Sequence, residues 1–112
     1  MLSIQGLKDF GARVDQGLER CMGNEAFYLK MVGMVLADAN FDKLSEAIAA
    51  NDLDAAFEAS HALKGVLSNL DLTPLEKTAI EMCELLRSRT QMDYSGMLQC
   101  LLLGREELIK ML

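Results

Sequence analysis

From Asn51 to Leu70 the chain reads NDLDAAFEASHALKGVLSNL, and its apolar residues recur at the three- and four-residue spacing of an α-helix. Asn51 and Asp52 are N-cap residue types, so a helix is expected to open there and to run to about Leu70. Strand signals are poor throughout. β-branched residues are few and two-residue hairpin turns are absent, while Leu, Ala, Met, Glu and Lys, all good helix formers, dominate. The chain is expected to be all-α.

Punctuation places the other helices. A short one is expected from about Val14 to Cys21, closed by Gly23, and a longer one, NEAFYLKMVGMVLADA, from an Asn24 N-cap, with Phe27, Met31, Met34 and Val35 at helical spacing. Asn40 or Asp42 opens FDKLSEAIAA. Thr73-Pro74-Leu75-Glu76 combines a capping box with proline at the first helical position, predicting a helix to about Arg89. After Asp93 a last amphipathic segment reaches Met111, with Met97, Leu101, Leu108 and Ile109 at core-like spacings and Gly104 as a weak point. Five or six helices with short connections suit an up-and-down bundle of antiparallel neighbours.

With 112 residues, one proline and no low-complexity tract, the chain is expected to form one domain over 1–112 around its own core. The formal net charge of −6 argues against nucleic acid or an anionic membrane as partner, because both demand a basic footprint. Docking to another protein fits better, and nothing requires more than a monomer. Cys21, Cys83 and Cys100 are widely spaced within apolar-periodic segments and form no CxxC pair, so they are expected to pack in the core of a protein from a reducing compartment. The segment Met1 to Phe10 lacks the layout of a signal peptide, which makes the cytoplasm the default. Most of the eight methionines are expected to fill gaps in the core rather than to form a binding groove.

On a helical wheel of the Leu53–Leu70 segment, Leu53, Ala56, Leu63, Val66, Leu67 and Leu70 form one apolar arc, and His61 projects roughly 150° from its centre. The chain's single histidine therefore faces away from its own helix's core stripe. Geometry alone leaves a functional and an idle surface histidine equally open. Lys64, Gly65 and Ser68 lie on the same side of the helix, so one strip holds an imidazole, an ammonium, bare backbone and a hydroxyl. That strip can serve phosphoryl chemistry. A neutral imidazole keeps a nucleophilic lone pair near pH 7, and Lys64 would offset the charge of the phosphoryl oxygens. A mid-helix glycine costs about 1 kcal/mol relative to alanine, so Gly65 calls for a reason: room for an incoming active site, or close packing on a neighbouring helix. Ser68 is open between a hydrogen bond to the imidazole or a phosphate oxygen and plain solvation. Phe57, at the edge of the strip, is open between meeting the partner and packing in the bundle core, the latter being the expectation.

The run Ser60-His61-Ala62-Leu63-Lys64-Gly65, continued by Val66-Leu67-Ser68-Asn69-Leu70, resembles the H-x-L-K-G signature of histidine-containing phosphotransfer (HPt) domains. The pattern extends to GNEAFYLKMV upstream and LTPLEKTAIEMCELLR downstream. By that resemblance the fold would be an antiparallel four-helix bundle with one or two short additional N-terminal helices. His61 would be the phosphoacceptor, modified on Nε2. The partner would be the aspartate of a response-regulator receiver domain, alone or within a hybrid histidine kinase. Such domains relay phosphate in two-component systems and carry no ATP site, so the chain would need no cofactor of its own, and any Mg²⁺ would belong to the receiver. One departure is Asp71, where the family often has a small residue; it is expected to alter the helix exit.

Two other functions compete with a phosphorelay intermediate. A helical adaptor would use the same face without phosphorylation and would bind unchanged after His61→Gln. A metal or acid/base enzyme is disfavoured, because one histidine and scattered carboxylates such as Asp54 and Glu58 make no closed ligand set.

Overall fold

A computed structural model describes residues 1–112, all of them in helices or their connections, with no strand. Seven helices follow one another: α1 (Ile4–Phe10), α2 (Val14–Arg20), α3 (Glu25–Leu36), α4 (Asn40–Ala49), α5 (Leu53–Asn69), α6 (Thr73–Arg87) and α7 (Ser95–Ile109). The all-α expectation holds, and every helix foreseen is present within a few residues of its expected bounds. α1 is additional. Ser3 caps it by accepting from the Gly6 N–H, and Gly11 closes it in the left-handed region at φ 108°.

Two of the expected caps form as anticipated. The Asn24 side chain accepts from the Phe27 N–H, and the Asp52 side chain from the Ala55 N–H. Two others do not. Asp38, rather than Asn40 or Asp42, meets the exposed start of α4, its Oδ1 accepting from the Asn40 N–H at 2.7 Å. At α6 the Thr73 hydroxyl donates backwards to the Asp71 carbonyl, so no capping box closes, although proline does stand in the first turn.

α5 packs against both α4 and α6, α6 against α7, and α7 reaches back to α4 and α3. One continuous core runs through them, with Tyr28, Phe41, Leu44, Leu63, Leu67, Leu75, Met82, Leu86 and Leu101 fully enclosed. On α3 the enclosed face is Tyr28, Val32, Val35 and Leu36, whereas Phe27 and Met34 are 48% and 58% exposed. This helix is apolar on nearly every side, so spacing alone does not choose the buried face. The methionines likewise depart from expectation: Met82 is buried, Met31, Met97 and Met111 are half-buried, and Met1, Met22, Met34 and Met92 are exposed. Of the cysteines, Cys83 is in the core, Cys21 is half-buried and Cys100 is exposed. Gly104 is the point where α7 closes on α6, since a Cβ there would stand 2.6 Å from Leu75 Cδ2.

The candidate phosphoryl site on the central helix

α5 is fixed along its inner face by Ala56, Ala59, Leu63 and Leu67, all buried, with Ser60 enclosed beside them and its hydroxyl donating to the Phe57 carbonyl. Burial of the leucines, each contributing about 1.5–3 kcal/mol, sets the rotation of the helix about its axis. His61 is consequently exposed, as its place on the wheel requires. Lys64, one turn on, is half-buried.

Gly65 is exposed, and a Cβ built there meets no atom within 4 Å. Close packing on a neighbouring helix, one of the two explanations open from sequence, is therefore excluded. The backbone at this position is bare towards solvent. Ser68 is half-buried; no hydrogen bond joins its hydroxyl to the imidazole, and its carbonyl instead accepts from Arg20 Nη1 at 2.5 Å.

The imidazole is braced from two directions. One turn earlier on α5, the half-buried Phe57 stacks on it, with ring centroids 5.7 Å apart and planes inclined by 24°. Across the crease, the Cys83 sulfur of α6 lies 4.0 Å from His61 Nδ1. Nε2 is thereby left as the ring nitrogen on the outer side. Phe57 is itself covered by two guanidinium groups from the end of α6, Arg87 at 5.2 Å and Arg89 at 4.8 Å from its centroid. Arg89 is held by Asp54 Oδ1 at 2.6 Å. Asp54, Phe57 and His61 on α5 thus face Arg89, just past the end of α6, and Arg87 and Cys83 on α6, so the two helices run antiparallel along this crease. Phe57 joins the site as well as the bundle.

Asp71 stands at the exit of α5 with φ 55°, a left-handed conformation that asparagine, aspartate and glycine tolerate best. Its carboxylate is buried and paired with Arg20 at 3.0 Å, and its carbonyl accepts from the Arg13 N–H. Through these contacts Asp71 ties the exit of α5 to α2.

No three His, Cys, Asp or Glu side chains gather where they could hold a metal ion, and no helix is long and apolar enough to cross a membrane. A sequence model of the Hpt domain matches residues 34–112, more than half of the chain. The chain belongs to the Hpt domain family. Hpt domains are phosphotransfer modules of two-component signalling, partnered by response regulators and kinases, and the helical architecture agrees with that membership. The match covers α4 to α7 and with them His61, Lys64, Gly65 and Ser68. No curated protein and no solved structure matched this Hpt domain in the parallel comparisons.

Proposed function

We propose that this Hpt domain is a cytoplasmic phosphorelay intermediate in which His61 accepts a phosphoryl group from, and returns it to, the aspartate of a receiver domain. The observation that carries the reading is the placement of an exposed, braced imidazole beside an ammonium and a bare glycine on one strip of α5. In the forward step the Nε2 lone pair attacks phosphorus of the receiver's aspartyl phosphate. The N–P bond forms as the P–O bond to aspartate breaks, and the aspartate leaves as carboxylate. Lys64 balances charge on the phosphoryl oxygens as they pass between the two residues. Gly65 lets the receiver's active-site rim approach α5, and Ser68 marks the far end of the docking strip.

In this reading the chain is a single domain whose α4, α5, α6 and α7 form an antiparallel, up-and-down bundle, preceded by three helices rather than the one or two short ones expected: the short α1 and α2 and the 12-residue α3. The three-residue links α4–α5 and α5–α6 favour antiparallel neighbours. The chain acts as a transfer protein, monomeric and without an ATP site, and any Mg²⁺ sits in the receiver.

The deciding experiment is incubation with phosphorylated receiver domains and Mg²⁺, followed by intact-mass measurement of wild type and His61→Gln. Gain of one phosphoryl group by wild type alone is the expected result. Binding of a receiver without phosphoryl gain, unchanged in His61→Gln, would instead identify an adaptor.

A further inference from the structure

Residues 1–33 lie outside the match to the Hpt family, which begins at residue 34, yet they reach the site strip. α2 sits over the turn that joins α5 to α6. The Arg13 N–H donates to the Asp71 carbonyl at 2.9 Å, and the buried Tyr28 hydroxyl of α3 donates to the Leu70 carbonyl at 2.8 Å. Within this clasp Arg20 Nη1 donates to the Ser68 carbonyl at 2.5 Å and to Asp71 Oδ2 at 3.0 Å. The Asp71 side chain is only 6% exposed, so its charge is met by this guanidinium rather than by water.

Arg20 is different from its partner: its side chain is 54% exposed, and both of its bonds use Nη1. Nε and Nη2 retain their donors for a further acceptor. A guanidinium already held at one nitrogen loses little additional freedom when it binds at another. Its position is also specific. Ser68, to which it is bonded, lies two turns beyond His61, roughly 10 Å along the helix axis. His61, Lys64, Gly65, Ser68 and Arg20 then form a run whose two cations are Lys64 and Arg20, with the exposed Glu58 and Glu19 at its margins. A guanidinium with free donors at the end of this run suits an acidic side chain on a partner surface, and such a pair sets encounter rate and partner choice.

We propose that Arg20, carried by α2, is a docking and specificity residue whose guanidinium extends the His61 strip and pairs with an acidic side chain on the rim of the receiver domain. This rests on reading the strip as the receiver-docking face. The family-matched helices supply the nucleophile, and the preceding segment supplies a contact that discriminates between receivers.

Two phosphodonors separate docking from chemistry. Phosphoramidate is small and needs no docking surface; a receiver domain phosphorylated with acetyl phosphate does, the one used being whichever of a panel loads wild type fastest. Arg20→Gln and Arg20→Glu are expected to load from phosphoramidate as wild type does. From the receiver, Arg20→Gln should load roughly fivefold more slowly and Arg20→Glu more slowly still, both with a shallower dependence on salt. Arg20→Lys, which keeps the charge, should recover part of the rate, and it decides the matter with Arg20→Gln if the glutamate variant does not fold. Equal receiver-driven rates and salt slopes in wild type and variants would overturn the proposal. So would equal losses with both donors, which would make Arg20 a brace for α5. If wild type loads from neither donor, the reading of His61 itself fails; if it loads from phosphoramidate but from no receiver, the docking face fails and Arg20 with it.

Discussion

Phe57 lies flat against the His61 imidazole, and the guanidinium groups of Arg87 and Arg89 lie over the same phenyl ring. The imidazole is therefore oriented by an aromatic side chain that two cations at the end of α6 hold in place. An aromatic pair of this kind contributes about 0.5–1.5 kcal/mol beyond its buried area. Phe57→Leu, which keeps apolar volume but loses the stack, should slow phosphoramidate loading of His61 by about two- to tenfold. Intact-mass time courses measure this, and broadened mobility of the imidazole in NMR should accompany it.

Cys83 meets the imidazole at Nδ1, its sulfur 4.0 Å away, and which of the two groups donates depends on the His61 tautomer. Cys83→Ala should shift the His61 tautomer populations seen by ¹⁵N NMR, and Cys83→Ser should restore them. Because sulfur is a weak hydrogen-bonding partner, loading rates should change by no more than about threefold. Unaltered ¹⁵N shifts in the alanine variant would assign the cysteine to packing alone.

Gly65 and Gly17 should respond in opposite ways to the same substitution. At Gly65 an added Cβ meets open space, so Gly65→Ala should raise stability by about 0.5–1 kcal/mol through helix propensity. Gly65→Gln should fold normally, load from phosphoramidate, and fail with receiver domains. Normal receiver-driven transfer by this variant would remove the proposed role of the glycine.

At Gly17, by contrast, a Cβ would stand 2.5 Å from Tyr28 Cε1 and 3.0 Å from the Leu70 carbonyl oxygen. Neither the enclosed ring nor the backbone can move away freely. Gly17→Ala should destabilise the protein by about 1–3 kcal/mol, read from denaturant melts.

Alkaline pH should loosen the clasp. Burial, followed by the charges of Asp71 and Cys21, pushes the Tyr28 phenol up to about 12. Burial pushes Tyr94 in the same direction. An unfolded tyrosine loses its proton near pH 10, so the folded state holds these protons more tightly than the unfolded state does. Their contribution is complete below about pH 10 and is lost as pH climbs towards about 12. Denaturant melts should show stability falling across that window. Tyr28→Phe should start about 0.5–1.5 kcal/mol less stable, having lost a hydrogen bond, and should fall less steeply.

The helix that bears His61 is legible in the sequence because Asp52 caps it and its large apolar residues share one arc. α1 is not legible: it has seven residues and buries one of them, Leu7, too little to establish a period. α3 is legible as a helix but not in its orientation, since Phe27, Met31 and Met34 compete with Tyr28, Val32, Val35 and Leu36 for the core. At the site, His61, Lys64, Gly65 and Ser68 share one helix, and their spacing brings them together without tertiary information. Cys83, Arg87 and Arg89 arrive from α6, and only the antiparallel alignment of α5 with α6 brings Cys83 beside His61 and Arg87 beside Phe57. Given that alignment, counting outwards from the turn at Asp71 would have found them.

The bonds from Arg13, Arg20 and Tyr28 to the α5–α6 turn carry a consequence for transplanting this domain. A fragment cut at residue 34, where the family match starts, would bare the Leu70 and Asp71 carbonyls and leave the enclosed Asp71 carboxylate without its cation. The residue at which the family match begins thus separates these bonded partners. A chimaera that grafts His61 and its neighbours into another protein must bring α2 and α3 along, or the far end of α5 will fray.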